Sequence, residues 1–130
     1  MREILFRGKR VDNGAWAYGV PIVNTDCVPP KYMMHVCVIS GGLGIGYKEV
    51  TPETVGQFTG RLDKNSREIY EGDIVRIEDS SNAIIEYSNL EAMFIFNFIG
   101  KWKKYATWNT ARKYIEVIGN IHDNPELVEA

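Results

Sequence analysis

The sequence predicts an all-β protein, and three observations carry that prediction. The helical period is hard to find anywhere in the 130 residues, short runs rich in β-branched and aromatic residues recur, and Gly, Asn, Asp and Pro separate those runs. Strands at this spacing are each too short to bury a face alone, so they favour a small closed or nearly closed barrel.

The elements follow in order. Glu3 to Gly8 and Trp16 to Val20 flank Asp12-Asn13-Gly14, whose Asn-Gly supplies the positive φ of a tight hairpin. Asn24 to Lys31 contains Pro29-Pro30 and few apolar residues and reads as a loop, with extended chain resuming at His35 to Ile39. Gly41, Gly42, Gly44 and Gly46 then interrupt the chain. Thr51-Pro52-Glu53-Thr54 has the order of an N-cap, a first-position proline and a first-turn acid, which predicts one short helical turn.

Val55 to Thr59 is β-prone, Asp63-Lys64-Asn65-Ser66 is a turn, and Glu68 to Tyr70 leads through Gly72 into Ile74 to Ile77. There Ile74 and Arg76 fall on one face, with Val75 and Ile77 on the other. Asp79 to Asn82 turns the chain, and Ala83 to Tyr87, Ala92 to Phe98 and Tyr114 to Ile121 read as further strands. Thr107 to Lys113 reads as loop or a single helical turn, and Asp123 to Leu127 as an acidic tail or capping turn. The Gly-rich stretch and Pro52 set a boundary near Val50 to Gly56, giving an N-terminal β region over 1–55 and a second region over 56–130.

Composition narrows the function classes. With 15 Lys plus Arg against 17 Asp plus Glu, the net charge of -2 provides no overall field for nucleic acid or anionic membrane. The longest apolar stretch, Ala92 to Ile99, falls far short of the ~20 residues a bilayer span needs, so no membrane partner is expected. MREILFRGKR has no apolar core of a secretory signal, and Cys27 and Cys37 are too few for a secreted disulfide framework, so the expected location is the cytoplasm.

Asp63, Glu68, Glu71 and Asp73 are the first candidates for chemistry, since paired carboxylates serve as acid and base when a shared site drives their pKa values apart. Turn acids are more often turn formers that bond local backbone amides, and that reading is preferred. The Gly41 to Gly46 stretch is not followed by the helix that a phosphate loop requires. Cys27, His35, Cys37 and His122 lack zinc-site spacing apart from His35 and Cys37 on one strand face, so no metal or other cofactor is expected. No local nucleophile signature appears, and His122 beside Asp123 stands alone, so no enzyme activity is expected.

The most suggestive local feature is KWKKYATWNTARKY, Lys101 to Tyr114. Lys101, Lys103, Lys104, Arg112 and Lys113 stand there without an acid, interleaved with Trp102, Tyr105, Trp108 and Tyr114. Cations neutralise phosphates while aromatic faces stack on bases, so Lys101, Trp102, Lys103, Lys104, Tyr105, Arg112 and Lys113 form a candidate nucleic-acid site. The plain alternative makes the Trp residues core and the lysines a solvated face.

The opening REILFRGKR, the central VGQFTGRLDKNSREIYEGDIV and the closing VIGNIHDNPELV together resemble the YopX family of bacteriophage and prophage proteins. The resemblance implies an all-β protein whose C-terminal part is an SH3-like β-barrel, preceded by a smaller β region, in a bacterial cytoplasm during phage carriage or infection. It implies no catalytic residues and no established activity. Family members often have glycine where this chain has Ser66, so either Asn65 takes the positive φ or the hairpin tip differs here. The functional expectation is a binding module for a host or phage protein, or for a second copy of itself, with nucleic-acid binding through Lys101 to Tyr114 as the alternative.

Overall fold

The computed structural model describes residues 3–36, 46–77, 81–100 and 115–129, together with the backbone of 105–106. The chain is all-β: its strands form antiparallel sheets, and the only helical pieces among the described residues are 3-10 turns at Pro52–Thr54 and Pro125–Leu127. No described helix is long and apolar enough to cross a membrane. Two compact units divide the chain, Met1–Phe58 and Thr59–Ala130.

In the first unit, β1 (Phe6–Lys9), β2 (Trp16–Asn24), β3 (Lys31–Val36) and β4 (Gly46–Glu49) form a meander, and β5 (Gly56–Leu62) pairs with the free side of β1. The β1–β2 hairpin turns through Gly14 at φ 72°, as its Asn-Gly predicts. Past Gly19 only β3 flanks β2, so Pro21, which has no N–H, is tolerated opposite Met34 and the strand runs on to Asn24. A bridge between Arg10 and Val50 joins the ends of the four-strand array, supported by Val11 N donating to Glu49 O and Thr51 N to Lys9 O, both at 2.9 Å. Ala17, Met34 and Val50 are buried inside this curl, with Phe6, Val36 and Val55 packed against them. The short turn after β4 lacks the expected cap: the Thr51 side chain makes no capping bond, and instead Thr54 Oγ1 donates to Thr51 O at 2.6 Å and accepts Lys9 N at 2.8 Å.

In the second unit, the end of β5 turns into β6 (Glu68–Tyr70). A five-stranded antiparallel sheet then has the order β10-β9-β8-β7-β11, from β7 (Asp73–Ile77), β8 (Ser81–Ser88), β9 (Met93–Phe98), β10 (Tyr105–Ala106) and β11 (Ile115–Asn120). The described strands do not close into a ring. Ile69, Val75, Ile77, Ala83, Ile85, Phe96, Ile115 and Val117 form the core, flanked by Phe94 and Phe98. The alternation read for β7 holds for Val75 and Ile77 inside and Arg76 outside, while Ile74 on the Arg76 face is fully buried as well. Tyr87 and Phe94, opposite each other across β8 and β9, meet edge to face at 5.3 Å.

At the β5–β6 tip the left-handed residue is Ser66 itself, with φ 66°. Neither sequence-based alternative applies, because Asp63 Oδ1 accepts the amides of Asn65 at 2.8 Å and Arg67 at 2.9 Å, and the reversal is completed between those two residues. A side chain in that region costs about 1 kcal/mol that glycine avoids. Ser66→Gly is therefore expected to stabilise the protein by about that amount, read as a higher urea midpoint at unchanged slope; an unchanged or lower midpoint would contradict the strain at Ser66.

Candidate functional site

The acidic stretch is distributed over separate turns. Asp63 is buried, and besides the two turn amides it accepts Val117 N on Oδ2 at 3.0 Å. Burial pushes its carboxyl pKa up, but the amides of Val117, Arg67 and Asn65, with the Arg67 charge, outweigh burial and hold it below the usual aspartate value. Asp73 is also buried, and its Oδ2 accepts Tyr70 N at 2.7 Å, bracing the turn in which Gly72 takes φ 91°. The Tyr70 hydroxyl donates to Glu68 Oε1 at 3.1 Å. Asp63 and Asp73 thus act as chain-reversing acids that accept backbone amides of their own turns, and Asp63 also holds an amide of β11.

The loop after β11 is organised the same way. Asn120 Oδ1 accepts His122 N at 3.0 Å and Asp123 N at 2.9 Å, while Asn120 Nδ2 donates to Asp123 Oδ2 at 3.0 Å. Asn124 Oδ1 accepts Asn120 N at 3.2 Å, and a Cβ added at Gly119 would lie 2.6 Å from that oxygen, which accounts for the glycine. The His122 ring lies beside Gly72, and Ile121 N donates to Gly72 O at 2.9 Å.

Among the described residues no three His, Cys, Asp or Glu side chains gather in a metal-binding group. Cys27 is half-buried and His35 is stacked on Tyr47, with centroids 4.9 Å apart. Cys37 and Gly41 to Gly44 lie outside the described residues. So do Lys101, Trp102, Lys103, Lys104, Arg112 and Lys113, and of Tyr105 only the backbone is described.

What the described chain does present is the outer face of β2, β3 and β4. Register places Val20, His35 and Tyr47 in one row and Ile22, Met33 and Glu49 in the next, with Tyr18 and Trp16 continuing along β2. Tyr18 is 43% exposed, Val20 43%, Ile22 42% and Tyr47 58%, a contiguous apolar surface on one sheet face. At its β1 side, Trp16 lies under two cations, the Arg7 guanidinium at 4.3 Å and the Lys9 ammonium at 5.1 Å from the ring centroid. The sequence reading passed over this surface. Its signal is in WAYGVPI, where large Trp16, Tyr18, Val20 and Ile22 alternate with small Ala17, Gly19 and Pro21; size there marks the outside, because the inside of the curl has no room.

The model of the YopX protein family matches residues 31–129. The chain belongs to the YopX family. Its match takes in β3 and β4 with Met33, His35 and Tyr47, the Asp63 turn, the Glu71-Gly72-Asp73 turn and the Asn120 loop. This YopX chain also resembles a crystal structure of protein EF1440 from Enterococcus faecalis, with a TM-score of 0.62 and 23% identity over 98% of this chain and 99% of that one. That likeness is one of fold. Among curated proteins no match was found.

Proposed function

We propose that this YopX protein is a non-enzymatic binding module that docks a protein surface, a partner's or a second copy's, on the outer face of β2, β3 and β4. The observation that carries the reading is the exposure of Val20 and Tyr47 on either side of half-buried His35, with their exposed neighbours Tyr18 and Ile22. A sheet face with this composition loses unfavourable hydration when covered by another apolar surface, and sheets cover one another at about 10 Å face to face. The wider setting we propose is a phage or prophage accessory protein of the bacterial cytoplasm, whose second unit is an open form of the SH3-like barrel.

The test is size-exclusion chromatography with light scattering on the purified chain, together with pull-down from bacterial lysate, on wild type and on Val20→Glu. Burying an unpaired carboxylate at the centre of the surface is expected to weaken association at least about tenfold while the exposed site leaves the fold intact. A wild type that is strictly monomeric and retains nothing, or a Val20→Glu variant that associates as well as wild type, would remove the proposal.

A second reading is nucleic-acid binding through Lys101 to Tyr114, supported by the run of cations and aromatics without an acid. Fluorescence anisotropy with short single- and double-stranded oligonucleotides across a salt series decides it, since phosphate contacts require affinity that falls as salt rises.

A further inference from the structure

Strand β11 ends its sheet, so its outer side is an edge that in a bare sheet offers backbone N–H and C=O groups to any passing strand. Here those groups are occupied by the tip of the β5–β6 hairpin, and by bonds unlike those of a regular ladder. Lys64 N donates to Ile115 O at 2.9 Å, Asp63 Oδ2 accepts Val117 N at 3.0 Å, and Arg67 Nη1 reaches Val117 O at 3.5 Å. One backbone amide, one carboxylate and one guanidinium stand where a neighbouring strand would stand.

We infer that residues 63–67 are a guard on the outer edge of β11, and that releasing them opens this edge to antiparallel pairing with β11 of a second copy. The strand is self-complementary in one register. A two-fold axis at Val117, the last residue before the bulge between Val117 and Gly119, lets its outward N–H and C=O exchange bonds with their own copies, whereas an axis at Glu116 sets like charges face to face. The inward side chains Ile115 and Val117 stay in their own core in either state.

Asp63→Asn separates the guard from the turn. Its remaining oxygen continues to accept the amides of Asn65 and Arg67, and its NH2 then meets the Val117 N–H donor to donor. The substitution is made with Val20→Glu also present, so that association through the apolar face of β2 to β4 is weakened equally in both proteins compared. Light scattering over a concentration series is expected to show a dimer with Asp63→Asn and a monomer when Val20→Glu alone is present. Hydrogen exchange at the Val117 amide is expected to be at least about tenfold faster in dilute Asp63→Asn than with Asp63, and to slow again as concentration rises, while the Val75 amide in β7 keeps its protection. Fast exchange at Val117 that is independent of concentration, with no dimer, overturns the inference. If Val75 loses protection too, the fold has opened, and Arg67→Ala decides: this exposed residue is expected to give the same dimer more weakly, and a monomer at every concentration overturns the inference.

Discussion

Gly19→Ala is expected to disrupt the first unit, with a loss of about 3 kcal/mol or more. A Cβ at position 19 would lie 1.9 Å from the His35 carbonyl oxygen, 2.8 Å from its carbon and 3.3 Å from Val36 Cα. All three are backbone atoms of β3, and the pair Val20 with His35 follows at once in the ladder, so no rotamer change relieves the clash. Relief requires β2 and β3 to move apart, which breaks the row Val20, His35 and Tyr47 as well as the core around Met34. Gly60→Ala is the matching control: Gly60 has φ 86° and nothing within 4 Å of an added Cβ, so its cost is only the left-handed backbone, about 1 kcal/mol. Amide exchange at Val20 and His35 reads the difference. A Gly19→Ala protein as protected there as Gly60→Ala would contradict the close approach of β3 to Gly19.

Asp63→Ala is expected to cost about 3 kcal/mol, because three amides lose their acceptor at once and each stranded donor costs roughly 1–3 kcal/mol, less when summed over one site. The pH dependence follows from the depressed pKa of the folded carboxyl. A carboxylate held below its unfolded value binds fewer protons in the folded state, so its stabilisation is fully present above the unfolded value of about 3.9 and is lost as pH falls through the lower folded value. The stability gap between wild type and Asp63→Ala is therefore expected to be level from about pH 5 to 8 and to narrow below about pH 4. Urea midpoints at several pH values check this. A gap that widens on acidification would mean that the carboxyl is stabilised in its protonated form.

Local chemistry explains which parts were legible in the sequence. Asn13-Gly14, Asp63 to Ser66 and Gly72 turn the chain where their side chains or missing Cβ predict, and the two-residue period of Val75 and Ile77 names the core face of β7. The acids Asp63 and Asp73 do the backbone work assigned to turn acids. Ser66 escaped prediction because its φ is imposed by where Asp63 grips the chain on either side. The outer face of β2 to β4 escaped it because period-2 patterning gives two faces and does not say which is covered.

By itself, then, the sequence determined the class of fold, the turns at Gly14, Asp63 to Ser66 and Gly72, and the family, because each depends on residues near one another along the chain; it started β3 late, at His35 rather than Lys31, and placed Ser81 and Asn82 in a turn although they belong to β8. Tertiary structure alone decided that Asp63 reaches Val117, that Arg10 meets Val50 and that Val20, His35 and Tyr47 share an outer row. Those contacts join residues far apart in sequence, and only the register of distant strands fixes them.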